Sequence, residues 1–265
     1  MNFNELLDAV RANPESVCIP PEWAQGRAAF GGLMAAMVFE TMRSKLSDNR
    51  PVRSLAISFV APAAPDVPIR FEAEVLREGK AVSTLLGRAV QGGQVVTLIQ
   101  GNFGAGRPSV VDVPALPATP MKALEESAPE LPYIKGITPE FMRHVALRWA
   151  VGGLPFSGNT SRQMGGWVRL RDVVQEQVNE AHLLALVDAW PPSLMPFLKQ
   201  PAAGSTLTWT IEFIQPTPTL STLDWCRYCV ETEHARDGYG HAAAALWTAE
   251  GELLALSRQT VTVFM

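Results

Sequence analysis

The stretch SFVAPAAP at residues 58–65 has a near copy, EFIQPTPT, at 212–219, 154 positions later. Phe59 and Phe213, Val60 and Ile214, and Pro62 and Pro216 recur in order, with Pro65 against Thr219 at the last position. Each copy reads as the end of a strand closed by F-x-x-P. Ahead of the first lies FGGLMAAMVFETMRSKL, 30–46, apolar almost throughout until Glu40. A stretch that is apolar on every side predicts a buried helix rather than a surface one. Ahead of the second lies NEAHLLALVDAWPPSLMPFL, 179–198, a second apolar helix stopped by Pro191 and Pro192.

The likeness continues downstream. After the first echo come long strands with turns at Glu78-Gly79 and Gly92-Gly93; after the second, turns near Asp237-Gly238 and Glu250-Gly251. Laying AVQGGQVVTLIQG on WTAEGELLALSRQ puts Gly93 over Gly251, 158 positions on, so the second copy carries four extra residues in its first hairpin. One order therefore occurs twice: buried helix, strand ending in F-x-x-P, strand, turn, strand, turn, strand. This is the signature of a tandem duplication.

Each copy is a helix plus an antiparallel sheet, an α+β arrangement. The helix is too apolar to lie exposed, so the sheet must curl around it, which is the hotdog fold. The expected architecture is a double hotdog, with the two sheets paired edge to edge so that two open edges disappear. The expected organisation is a first repeat over 1–104, a Pro- and Ala-rich linker over 105–140 and a second repeat over 141–265. HVALRWAVG and GWVRLRDVV read as strands opening the second repeat.

Composition narrows the function classes. The chain has 265 residues, 47% hydrophobic and 18% charged, with net charge −4, so nothing steers it toward nucleic acid or an acidic membrane. No segment approaches the run of roughly 18 apolar residues that a membrane span needs. The N-terminus reads as a short amphipathic helix with Phe3, Leu6, Leu7 and Val10 on one face, not as a secretion signal. Three cysteines, Cys18, Cys226 and Cys229, make no disulfide framework and fit a reducing compartment, so the expected location is cytoplasmic. Cys226 and Cys229 lie on a strand, where residues three apart face opposite ways, so one metal could not easily take both. The four histidines show no metal-site spacing, and His144 reads as structural. No G-x-S-x-G, P-loop or dinucleotide fingerprint is present.

Several segments, in order, carry a resemblance. They are FGG at 30–32, SFVAP at 58–62, REGKAVST at 77–84, QGG and GNFG at the two ends of 91–104, VDAWPPS at 187–193 and SRQ at 257–259. With these the chain resembles the acyl-CoA thioesterase II-like double-hotdog family over most of its length. The resemblance implies hydrolysis of an acyl-CoA thioester to free acid and CoA. It implies no metal and no bound cofactor, since a thioester is already an activated acyl group. It also implies further assembly into a homo-oligomer. The implied site is an Asp, a Thr and a Gln holding one water. They fall on Asp188, Thr206 and Gln259, with Thr208 an open alternative to Thr206.

Physical reading of the same residues adds detail. Asp188 sits in an apolar helix near its C-terminal end, where burial and the exposed carbonyls both favour the protonated form and raise its pKa, as suits a general base. Gln259 alternates in phase with Leu253, Ala255, Val261 and Val263 and so faces the apolar side of the last strand. Strict alternation puts Thr206 with Thr208, Thr210 and Glu212, opposite Leu207, Trp209, Ile211 and Phe213; that Thr face is either solvent or site. Gly31 and Gly32 open the first helix, either as a tight packed turn or as backbone donors to an oxyanion. At the matching positions the first repeat has Met34, Val52 and Gly101, so one polar trio, and one site, is expected per chain.

Two other functions fit the fold. A hotdog enoyl-CoA hydratase would pair its Asp with a His a few residues on, and AWPPSLMPF after Asp188 has none. A non-catalytic acyl-CoA or lipid-binding protein would keep the fold and lose the chemistry. Trp190, Met195, Phe197 and Trp209 are the bulky residues expected to limit acyl length.

Overall fold

The computed structural model describes residues 1–171 and 175–264. The Asp172, Val173 and Val174 end of the expected GWVRLRDVV strand lies outside the described residues. The chain runs through α1 (Phe3–Ala12), β1 (Ala24–Gln25), β2 (Ala28–Ala29), α2 (Gly31–Arg43), β3 (Val52–Phe59), β4 (Arg70–Glu78), β5 (Val82–Gln91) and β6 (Gln94–Gly104). It continues through β7 (Val145–Val151), β8 (Gln163–Leu170), α3 (Glu180–Asp188), β9 (Ala203–Phe213), β10 (Cys226–Arg236), β11 (Tyr239–Trp247) and β12 (Leu253–Phe264).

Ten strands form one antiparallel sheet in the order β4-β5-β6-β3-β9-β12-β11-β10-β8-β7. The two echo strands, β3 and β9, pair with each other at its centre, and their register is Leu55 with Ile211, Ala56 with Thr210 and Ile57 with Trp209. At the echo offset of 154, Ala56 corresponds to Thr210, so it pairs with its own counterpart; Leu55 and Ile57 pair crosswise with the counterparts of each other. The strands on either side follow in mirrored order, β6-β5-β4 against β12-β11-β10. This is a double hotdog, an α+β fold with a pseudo-two-fold axis through the Ala56–Thr210 pair. The extra length of the second copy does not lie in its first hairpin as expected: the pair Val75–Leu85 recurs as Thr232–Ala242 at a constant offset of 157, so three of the four extra residues precede the hairpin and one follows it.

Hairpin chemistry follows the expected turns. Gly92-Gly93 and Asp237-Gly238 each hold two consecutive positive φ values, 58° and 83° and then 54° and 81°. A tight hairpin turn that matches the sheet twist needs this backbone, and it is cheap for Gly and tolerable for Asp.

The helices fill the sheet as their composition demands. Every residue of α2 from Gly32 to Met42 is buried, and the helix packs on β4, β5 and β6. The one charge within that buried stretch, Glu40, is held by Arg11 of α1 at 2.9 Å, which compensates for burial. Helix α3 packs on α2, β8 and β12. It is shorter than the sequence suggested: it ends at Asp188, and a separate one-turn helix, Met195–Phe197, follows the prolines. Both Pro191 and Pro192 lie in the break, where no helical N–H is missed.

The N-terminal helix has the expected buried face, Phe3, Leu6, Leu7 and Val10, and a capping box between Asn2 and Glu5. His144 stacks on Trp23 at 4.0 Å and 5°. Cys226 joins the main core while Cys229 joins a separate cluster with Trp247 and Leu253, as opposite strand faces require. Strands β7 and β8 extend the second half beyond the mirrored set. The free side of β7 is covered by residues 128–131, with Ala128 N–H donating to Trp149 O and Leu131 N–H to Leu147 O, both 2.9 Å. Residues 110–116 of the same connection are among the most exposed, with Val110, Val111, Val113 and Leu116 all in solvent.

Candidate active site

The two helices pack side by side and antiparallel across the duplication, with Arg43 at the end of α2 paired to Glu180 at the start of α3. Asp188, the last residue of α3, faces the first turn of α2. A Cβ built on Gly31 would stand 2.8 Å from Asp188 Oδ2 and 3.1 Å from Cζ of Phe59, the echo phenylalanine. Glycine is therefore what lets the carboxylate, the helix start and the echo strand approach. Gly32 is equally crowded: its added Cβ would lie 3.0 Å from the Ala185 Cα of α3. Helix α2 has no side-chain cap at Phe30, so its first-turn N–H groups are free to serve an anion. The Gly32 N–H donates to Asp188.

Gln259 reaches Asp188 from β12, its Nε2 donating to Asp188 Oδ1 at 3.2 Å. The residue keeps partial exposure, but its carboxyl sits among protein groups and the loss of water dominates. Burial lifts the Asp188 pKa from 3.8 to about 7, and the bonds from Gln259 and Gly32 hold it from rising further. Sequence reasoning anticipated the direction. It missed that the α2 N-terminus opposes the rise, because that contact joins different repeats.

Thr206 reaches the inner face of the sheet by an irregularity in β9. Thr208 pairs with Thr260, and Thr206 pairs with Val261, so Leu207 is an extra residue on β9, a bulge. Strict alternation fails there. Thr206 shares the inner face with its partner Val261, which is two residues beyond Gln259 and buried, while Thr208 stays on the exposed face. The sequence grouping of Thr206 with Thr208, Thr210 and Glu212 is thus corrected by one inserted residue. Among the described residues the Thr206 hydroxyl makes no hydrogen bond to Asp188 or Gln259.

Two further polar groups escaped the sequence reading. Ser193 and Tyr228 line a narrow recess together with Gln259, Pro191, Val230 and Ala242. The recess holds about 10 Å³, the room of about one water. Tyr228 stacks on Trp190 at 5.2 Å and 7°, and Trp190 in turn meets Trp149 at 4.7 Å. Burial, then the charges of Asp188 and Cys229, push the Tyr228 hydroxyl above its ordinary pKa. Parity with Cys226 and Val230 could have marked Tyr228 as inward-facing, but no motif pointed to Ser193. A larger cavity, bordered by Trp167, Trp225 and Arg227, lies on other residues altogether and shares none with this site.

The matching place in the first repeat is filled. Val52 is buried, and a Cβ on Gly101 would stand 2.6 Å from Met42 Cε in the last turn of α2, so β6 has no space for a Gln there; Met34, which the echo offset matched to Asp188, lies instead in the first turn of α2.

Comparison with known proteins agrees with this architecture. Residues 19–104 match the family model of the acyl-CoA thioesterase N-terminal domain, and residues 118–263 match that of its C-terminal domain. Acyl-CoA thioesterase 2 of Haemophilus influenzae is 21% identical over 253 residues, covering 88% of this chain and 86% of that protein. A conserved protein of unknown function with a hot dog fold from Alicyclobacillus acidocaldarius superposes with a TM-score of 0.79 at 23% identity, over 94% of this chain and 92% of its own. A candidate thioesterase II from Thermobifida fusca YX gives 0.80 at 20% identity, over 98% and 97%.

Proposed function

We propose a water-based mechanism on the premise that this chain belongs to the acyl-CoA thioesterase family and is a thioester hydrolase. In it, Asp188 is the general base and an acyl-CoA is the substrate. Thr206 and the Gln259 side-chain carbonyl hold one water. Its oxygen attacks the thioester carbonyl carbon as Asp188 takes one proton. The new C–O bond forms as the carbonyl π pair moves onto oxygen. The first-turn N–H groups of Gly31 and Gly32 receive that oxyanion. Once Asp188 is protonated it no longer competes for the Gly32 donor, so one helix start serves first the carboxylate and then the oxyanion. Collapse breaks the C–S bond, and the departing CoA thiolate recovers the proton from Asp188. No group outside the chain and the substrate is called on to balance the step.

One observation carries the reading: a carboxyl with pKa about 7, bonded by Gln259 at 3.2 Å and faced by an uncapped helix start. A base poised near neutrality can both take and return a proton at physiological pH. The inner-face register of Thr206 and the filled counterpart positions in the first repeat support a single site per chain. The test is Asp188→Asn assayed for thiol release from palmitoyl-, hexanoyl- and acetyl-CoA. Loss of turnover by at least about a hundredfold is expected, and near wild-type turnover of a good substrate overturns the assignment.

A further inference from the structure

The recess that begins at Gln259 ends on two hydroxyls with nothing to bind. Ser193 is 6% exposed, and its Oγ is buried with no hydrogen-bond partner among the described residues. Its position is not accidental slack, because the Ser193 carbonyl accepts from Thr232 Oγ1 at 3.2 Å, which pins the residue. Tyr228 is 5% exposed, its ring is fixed against Trp190, and its hydroxyl makes no hydrogen bond among the described residues. Buried hydroxyls are ordinarily satisfied, and the sealed Ser193 Oγ left open beside the Tyr228 hydroxyl indicates a partner that arrives with the ligand. Of the remaining walls, Pro191, Val230, Ala242 and Ala244 are apolar, and Ser257 is already engaged, its Oγ accepting from Trp209 Nε1 at 2.9 Å.

We propose that this recess receives a neutral hydroxyl or keto oxygen carried by the acyl group near the thioester, held by Ser193 and Tyr228, and so selects acyl groups that bear one. The inference rests on the thioesterase reading of the same site. Size argues for a single small polar group in the recess and not a length of chain, because the space admits about one water. Chemistry argues for a neutral oxygen. A plain alkyl chain would strip water from both hydroxyls and replace none of their bonds. A carboxylate would sit beside Asp188 and repel it whenever Asp188 is ionised. A hydroxyl or keto oxygen can accept from both, and a hydroxyl can also donate. Sites built to bond a substrate hydroxyl reject the analogue that lacks it far more strongly than apolar pockets reject an added group.

The experiment compares 3-hydroxybutanoyl-CoA with butanoyl-CoA, which differ by one hydroxyl, and adds palmitoyl-CoA. The full chain, Ser193→Ala, Tyr228→Phe and Asp188→Asn are assayed for thiol release. Expected is a preference of at least about tenfold in kcat/KM for the hydroxyacyl thioester over butanoyl-CoA. In Ser193→Ala or Tyr228→Phe the preference falls below about threefold. Because the preference is a ratio within one sample, partial unfolding of a variant does not imitate the effect, and Tyr228→Phe keeps the ring stacked on Trp190. A ratio near one in the full chain, or an unchanged ratio in both variants, overturns the inference. Turnover that depends on Asp188 but shows no preference overturns it alone; turnover of no thioester overturns the thioesterase reading with it.

Discussion

Replacing Gln259 by Met isolates what the amide does for the carboxylate it touches. Met has similar volume and no donor. In the present structure Gln259 Nε2 lies 3.2 Å from Asp188 Oδ1, and its bond lowers a pKa that burial has lifted to about 7. Hydrogen bonds to a charged group are worth about 1.5–3 kcal/mol, and 3.2 Å is at the long end of the range, so the lower figure applies. At about 1.4 kcal/mol per unit, the Asp188 pKa should rise by about one unit. A base must be ionised to work, so kcat/KM climbs with pH and levels off above the pKa. The midpoint should lie near pH 7 in the native chain and near pH 8 in Gln259→Met. The assay is thiol release from pH 5 to 9.5 under limiting substrate, where the profile reports the free enzyme. Rate falls too, since Gln259 also holds the water, but the midpoint is read independently of height. An unmoved midpoint, a downward shift, or a native midpoint near 4 refutes the reasoning.

Three other outcomes are expected. A folded-state pKa raised above the unfolded one means that the unfolded chain binds fewer protons between pH 4 and 7, so the Asp188 term costs stability as pH rises through that window; Asp188→Asn should gain about 2–4 kcal/mol at pH 8 in urea unfolding and nothing near pH 4. Gly31→Ala drives a methyl to 2.8 Å from Asp188 Oδ2, and kcat/KM should drop by about tenfold or more while far-ultraviolet circular dichroism is unchanged; full activity would show that the helix start is not held this close. Thr206→Val should lower kcat by about tenfold or more and the exposed Thr208→Val by less than about twofold, and the reverse order would mean that the β9 bulge is misread.

What the sequence could disclose follows from how local each signal is. The echo around Phe59 and Phe213 survives because both copies meet the same demand, a central strand leaving the sheet at a Pro. The register of Ala56 on Thr210 is that demand made symmetric. Leu207 shows the opposite case. Nothing in STLTWT marks which residue is the extra one, since a bulge is fixed by the partner strand and not by its own side chains. The Gly32 bond to Asp188 was illegible for a related reason: it spans 156 positions and joins two copies that the sequence presents as separate units. The Asp188 carboxyl was legible because an acid inside LLALVDAW is anomalous wherever it points. Ser193 was not, because a Ser after two prolines is ordinary in any loop.

The symmetric join of β3 to β9 has a consequence for how the chain stays whole. Its two halves touch through a continuous strand ladder and through paired helices, while the peptide between them runs through solvent at Val110, Val111 and Val113. That connection acts as a tether, raising the local concentration of one half around the other to about the millimolar range, and adds little adhesion of its own. A protease that nicks it should release no fragment, and the clipped product should migrate as intact protein until a denaturant parts the halves.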